Sequence, residues 1–154
     1  GYITLPELPV DHEHYIVHAH PNFRLWGTMN PPEWYRGRRD LDMALERRCM
    51  VLDVPPPNAS DELAIVRGEV PDIDTGEITR MIRVAVGTRN NFDANRGTYW
   101  MSPADVVMWA AKTLRLQDVH AAAHMVIYGK VPRHELQRVR ELVRASFGTD
   151  PHDR

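Results

Sequence analysis

Two short apolar runs end at prolines, and they constrain this chain more than any other feature in it. The first is Phe23-Arg24-Leu25-Trp26-Gly27-Thr28-Met29-Asn30, followed by Pro31-Pro32. The second is Cys49-Met50-Val51-Leu52-Asp53-Val54, followed by Pro55-Pro56-Pro57. Proline has no N–H to give a ladder, so neither run continues as a strand beyond those points. The second run is continuously apolar, as suits a strand buried on both faces of a sheet. Asn30 stands at the end of the first, where a lone side-chain amide is well placed to hydrogen-bond a ligand or a water. A turn former ahead of Pro31 is the plainer reading of that residue.

Around these runs the chain divides in character. Tyr2–Leu5 and Tyr15–Ala19 alternate like strands, so residues 2–20 are expected to form a hairpin. A Pro- and Arg-rich loop follows from Pro31 to Arg39, and Asp40 is expected to cap a short helix with Leu41, Ala44 and Leu45 on its inner face. From Ser60 onward the apolar spacing is helical, with Leu63, Ile65 and Val66 first and then Ile78, Met81, Ile82 and Ala85 near 77–88. Residues 89–101 read as a polar loop. Ser102-Pro103 opens another helix with a cap and a first-turn proline, and helices are expected over 117–128 and 132–147.

Composition excludes several classes. A net charge of −2 provides no bulk basic field for nucleic acid or anionic lipid. No apolar run approaches the ~20 residues of a membrane span. Cys49 is the single cysteine, so no internal disulfide forms and a reducing, cytoplasmic setting fits. The chain opens on Gly1 rather than Met, as expected of a processed product or a fragment.

The block His20–Pro31 resembles the sensor-1 strand of AAA+ ATPases of the dynein-related and MoxR-type branch, with its pattern N-F-R-x-x-A-T-x-N-P. Gly37, Leu41, Ala44, Leu45 and Arg48 are similar to that branch's G-x-x-x-L-x-x-A-L-x-x-R-F stretch, and Met50–Val54 with Pro55 to its following strand and proline. The helix from Ser102, with Trp109 and Ala110, resembles the start of the branch's lid. The resemblance implies an α/β fold: residues 1–68 form the end of a P-loop NTPase-type parallel-sheet core, and residues 69–154 form an all-helical lid. It implies ATP and Mg as cofactors of the complete module. It implies neighbouring AAA+ subunits in a homo-oligomeric ring, and an unknown protein client that is remodelled or assembled. Asn30 falls at the position that holds the attacking water or the γ-phosphate. Arg48 falls at an arginine that commonly reaches a neighbour's ATP, with Arg47 beside it where Asp is common. Such an arginine neutralises charge spreading over the transferred phosphoryl oxygens.

The chain also departs from that pattern. Gly129-Lys130 is followed by Val131 and preceded at five positions by His124, so it is not a phosphate loop. Asp53 is followed by Val54 where a Walker-B Glu is required. Ala104 stands where the lid usually carries its sensor-2 arginine, with Lys112 and Arg96 as the cations that could replace it. The resemblance therefore implies a chain with sensor-1 and arginine-finger elements but without Walker A or Walker B, inactive as an ATPase by itself. Two other readings stand beside it. One is a non-catalytic adaptor or assembly module derived from an AAA+ domain. The other is a metal-binding hairpin, because His12, His14, His18 and His20 share strand parity and imidazoles suit Zn²⁺ or Ni²⁺. Arg36, Arg38 and Arg39 form a basic loop, by default solvated and alternatively a phosphate or intersubunit contact.

Overall fold

A computed structural model describes residues 1–29, 44 and 47–152. The chain is mostly helical and separates into two compact units, Gly1–Asp42 and Met43–Arg154.

In the first unit, β1 (Tyr2–Thr4) pairs antiparallel with β2 (Ile16–His18), in the register Tyr2↔His18, Ile3↔Val17 and Thr4↔Ile16. The Leu5 N–H donates to the Tyr15 carbonyl at 2.9 Å and the Ala19 N–H to the Gly1 carbonyl at 2.9 Å, so the ladder extends one step at each end. The expected hairpin is present. Both strands are solvent-exposed along their length.

The two proline-terminated runs differ from expectation. Phe23–Met29 is irregular chain without strand pairing, and Phe23, Leu25 and Trp26 are 59%, 83% and 83% exposed. Met50–Val54 likewise forms no strand, with Met50 and Val54 exposed at 90% and 84%. The reason is physical. A strand is completed by its neighbour's N–H and C=O groups, and among the described residues the only sheet is the β1–β2 pair. The expected parallel-sheet core is therefore not seen among the described residues. The expected helix at 40–45 falls largely on residues outside those described.

The second unit holds five α-helices among the described residues, each started by a recognisable signal or bent into place by a loop. Helix α1 (Ala59–Glu69) is capped by Asn58, whose side chain accepts the Asp61 N–H at 2.9 Å, and it starts one residue before the expected Ser60. Helix α2 (Thr75–Asp93) is capped by Asp74 and runs five residues past its expected end at Thr88. Its buried face is Ile78, Met81, Ile82, Ala85, Thr88 and Arg89, a continuous i, i+3, i+4 stripe. Helix α3 (Pro103–Leu116) starts on a full capping box between Ser102 and Asp105, with Pro103 in the first turn, as its sequence predicts. It stops at Gln117 in the left-handed conformation (φ 54°), whose N–H returns to the Thr113 carbonyl at 2.8 Å. Asp118 then caps α4 (Val119–Val126) by accepting the His120 and Ala121 N–H groups. A 3₁₀ turn at Tyr128–Lys130 leads to α5 (Leu136–Phe147).

Helix α2 is the centre of this unit, packing against α1, α3 and α5, while α4 packs on α3. Gly87 lets α5 approach α2: a Cβ there would lie 2.9 Å from Leu142 Cδ2. Trp109 is fully buried, donates from Nε1 to the Val119 carbonyl at 2.9 Å, and meets Phe147 edge-on at 5.4 Å between centroids. It thereby joins α3, the start of α4 and the end of α5. Trp109→Ala is expected to cost about 3–5 kcal/mol through the cavity and the orphaned carbonyl, read as a lower urea midpoint at unchanged m-value.

Candidate functional site

The polar side chains of the second unit gather into three buried arrangements. The first joins Glu62 of α1 to Arg89 of α2. Glu62 is fully buried and Arg89 is 6% exposed. Arg89 donates from Nη1 to Glu62 Oε2 and from Nη2 to Oε1, both at 2.7 Å, in a fork-to-fork pair. Its Nε donates to the Met101 carbonyl at 2.8 Å, and its guanidinium lies 5.0 Å from the Trp100 ring centroid. The Met101 N–H donates to Thr88 Oγ1 at 3.1 Å.

The second arrangement holds the 97–99 loop. Glu135 accepts the Thr98 N–H at 2.7 Å, the Thr98 hydroxyl at 2.6 Å and the Tyr99 N–H at 3.1 Å. Burial alone pushes the Glu135 carboxyl up, but these donors and the nearby His134 outweigh it and hold it below the usual range. Gly97 makes room for this contact, since a Cβ there would sit 2.7 Å from Glu135 Oε2. At the start of α3, burial again raises Asp105, yet hydrogen bonds from Lys130 (2.5 Å) and Ser102 bring it below the ordinary carboxylate value. The Tyr99 phenol is pushed above its ordinary range by burial first and by Asp105 second.

The third arrangement fastens residues 148–152 to α4. Asp150 Oδ2 lies 2.9 Å from His124 Nε2 and 4.0 Å from His120 Nδ1, and Asp150 Oδ1 accepts the His152 N–H at 2.9 Å. His152 Nε2 meets Asp118 Oδ2 at 2.7 Å. Asp118 is held low by the Ala121 N–H and His152; for Asp150, burial raises the carboxyl but the His152 N–H and His124 outweigh it. Among the described residues no three His, Cys, Asp or Glu side chains are placed to hold a metal ion.

The residues expected to carry chemistry stand apart from these arrangements. Asn30 lies outside the described residues, as do Arg36, Arg38 and Arg39. Arg47 and Arg48 are exposed, and Arg48 Nη1 donates to the Ala44 carbonyl at 2.7 Å. Ala104 is exposed in the first turn of α3. Gly129-Lys130 is spent in the 3₁₀ turn, with Lys130 tied to Asp105, so it cradles no phosphate. The histidine set is split by geometry. His12 and His14 lie in the turn, where His12 Nδ1 accepts the His14 N–H at 3.1 Å, whereas His18 ends β2 against Tyr2. Shared parity on one strand, the basis of the metal reading, does not hold for them.

The pairing of Glu62 with Arg89 escaped the sequence reading, which placed Arg89 in a loop. The signal for Arg89 was its spacing, four residues beyond Ala85 on the apolar stripe.

Two outcomes follow from these environments. Arg89→Ala leaves a buried, uncompensated carboxylate and is expected to cost about 3–5 kcal/mol, whereas the pair Glu62→Leu with Arg89→Met recovers most of that loss in chemical denaturation. Asp105, Asp118, Glu135 and Asp150 have folded values below the ordinary 3.8 for Asp and 4.5 for Glu. Their stabilisation is complete above those ordinary values and is lost as pH falls through the lowered folded ones. The urea midpoint is therefore expected to fall progressively below pH 4.5, less steeply in Glu135→Gln.

No protein-family model matches the chain. Among curated proteins it is similar to the aerobic cobaltochelatase subunit CobS of a Sinorhizobium species, 26% identical over 146 residues, which covers 88% of this chain and 44% of that protein. The chain thus spans less than half the length of that relative. The likeness supports a distant relationship to AAA+ proteins, and a mostly helical chain with a small two-stranded sheet is compatible with the lid subdomain of such a module.

Proposed function

We propose that this chain is the sensor-1, arginine-finger and lid portion of an AAA+ ATPase module that couples ATP hydrolysis to remodelling or assembly of a protein partner. The observation that carries this reading is the fixed order of the Asn22–Pro31 block, the Gly37–Arg48 block and the Ser102 helix, together with similarity to CobS along most of the chain. That relative is by its name a subunit of an enzyme, which fits an ATPase working on a companion subunit.

The residues of this chain do not by themselves fit ATP and Mg: the one Gly-Lys pair is locked in a turn, and Asp53 lacks its acidic neighbour. The nucleotide site is therefore proposed as a shared one, with phosphate and metal ligands on other polypeptide. In that site the Asn30 amide orients a water, and the Arg48 guanidinium, exposed and bonded among the described residues only to the Ala44 carbonyl one turn back, reaches a neighbouring subunit. Arg47 is the adjacent cation for the same phosphate region. The exposed apolar runs at 23–26 and 50–54 become the strands of a parallel sheet once their neighbours are supplied. The second reading, a non-catalytic assembly module, is favoured by the single observation of Ala104 at the sensor-2 position.

The isolated 154-residue chain is expected to show no ATPase activity. In the complete gene product, Asn30→Ala and Arg48→Ala are each expected to lower ATP turnover, Arg48→Ala by about 10³-fold or more. Mixing the two inactive variants should restore part of the activity, because one intact site then combines Asn30 of one protomer with Arg48 of its neighbour. Full ATPase activity in both single variants would favour the assembly module, and activity of the isolated chain would overturn the shared site.

A further inference from the structure

Beyond α5 the chain turns at Gly148, in the left-handed region at φ 86°, and residues 148–152 return to α4 as a short strap. Its sequence, Gly-Thr-Asp-Pro-His, offers little apolar surface, so polar contacts hold it. Asp150 is the anchor. Its side chain is 2% exposed, with Oδ2 at 2.9 Å from His124 Nε2 and 4.0 Å from His120 Nδ1. The two imidazoles stand one turn apart on α4 and address the same carboxylate. His120 Nδ1 is buried and makes no hydrogen bond, so its attraction for Asp150 is one of charge alone. Asp150 Oδ1 is used within the strap, accepting the His152 N–H across Pro151. A second fastening lies alongside, with His152 Nε2 at 2.7 Å from Asp118 Oδ2.

Imidazoles are the only cationic groups that pair with Asp118 and Asp150 among the described residues. Lys112 and Arg115 of α3 form no ion pair with either. Lys130, in the 3₁₀ turn packed on α4, is spent on Asp105. Arg140 of α5 lies over the Tyr128 ring, which meets His124 edge-on at 4.8 Å. Asp72, Asp74 and Glu77, around the start of α2, share a cleft with Asp118 and add negative charge on that side. Burial raises the Asp150 carboxyl, but the His152 N–H, the His124 hydrogen bond and the charges on His120 and His124 outweigh it. Asp118 is likewise held low, by the Ala121 N–H first and then by His152. Both carboxylates therefore stay ionised across the range, about pH 5 to 8, in which imidazole changes its charge.

We propose that residues 148–152 form a histidine-locked strap, closed on α4 while His120, His124 and His152 carry charge and released as they lose it. In the closed strap a buried carboxylate faces two imidazolium groups. Once these are neutral, Asp150 keeps its own charge, loses its countercharge, and regains full hydration only by leaving. The His152–Asp118 contact loses its ionic part over the same range, beside three further carboxylates. Attachment is thus favoured below the imidazole range and lost as pH rises through it, the sign required when the closed form binds protons more tightly than the open one. Release uncovers His120 and His124 on α4, and pH then decides whether that face of the helix is free or occupied.

Amide NMR of the 154-residue protein at about pH 5.5 and about pH 8 tests this. At the lower pH the Thr149, Asp150 and His152 amides are expected at dispersed positions with the heteronuclear NOE of ordered backbone. At the higher pH they move towards random-coil positions and lose that NOE, the equilibrium constant for release rising about tenfold. The Met101 amide, bonded to Thr88 Oγ1 away from the strap, is expected to hold its position, which separates release from unfolding. Asp150→Asn is expected to loosen the strap at the lower pH and flatten the response. His124→Lys, which keeps a cation there beyond pH 8, is expected to retain more of the closed form at the higher pH. The proposal is overturned if the strap amides are the same at both pH values, if their order increases with pH, or if folded Asp150→Asn responds as the parent does. A His124→Lys strap that opens as fully as the parent's overturns it as well.

Discussion

The paired charges of Glu62 and Arg89 are the joint on which the helical unit turns. Taking either ion out of water costs several kcal/mol, and the pair persists because each carboxylate oxygen accepts from the guanidinium in a fork-to-fork contact. Glu62 arrives from the first turn of α1 and Arg89 from the fifth turn of α2. The Arg89 Nε–H reaches the carbonyl of Met101, and Thr88 takes that residue's N–H. Adjacent α2 side chains thus satisfy both backbone groups of the residue immediately before the Ser102 cap. Apolar packing has no direction, whereas a guanidinium fork has one. The start of α3 is fixed by that direction. Asp105 and, through it, Lys130 are placed in turn, so the 3₁₀ turn that closes the unit is set by a buried ion pair two helices away.

The helices were legible wherever a local signal declares itself. Ser102-Pro103 with Asp105 is a complete start signal within four residues, and the stripe of Ile78, Met81, Ile82 and Ala85 can only be one helix face. What escaped was every feature that depends on a distant partner. Glu62 and Arg89 are 27 residues apart, and either alone reads as a solvated ion. Glu135 falls within the helix expected over 132–147, yet its oxygens serve a loop some 37 residues earlier. Gln117, expected as the first residue of the next helix, is instead the left-handed stop of α3, its N–H held by the Thr113 carbonyl, where Gly or Asn is the usual residue.

The two proline-terminated runs illustrate the same limit from the opposite side. Apolar content and a proline stop are written locally, and they specify that a segment is meant for burial. The ladder that would bury it is not written locally. Leu25 and Trp26 at 83% exposure, and Met50 at 90%, place more large apolar surface in water than scattered single residues do. The apolar surface of α2 and α5 is covered because its partners lie within the same hundred residues. The difference between the two halves of the chain is therefore one of available partners rather than of sequence quality.

That difference bears on how a shared catalytic site would be built. A sensing amide at the end of a strand has a defined position only when the strand has neighbours, and those neighbours in a P-loop sheet would be the strands that carry phosphate and metal ligands. Asn30 would then be ordered by the same sheet that brings it a substrate. Arg48 belongs to the other kind of element, since its one bond among the described residues is to a carbonyl four residues back, within its own segment. On the proposed reading it would need no sheet to be presented, only a neighbouring subunit to receive it. A chain with both would be silent alone for two separate reasons, one of folding and one of assembly, and complementation between variants of the two residues separates them.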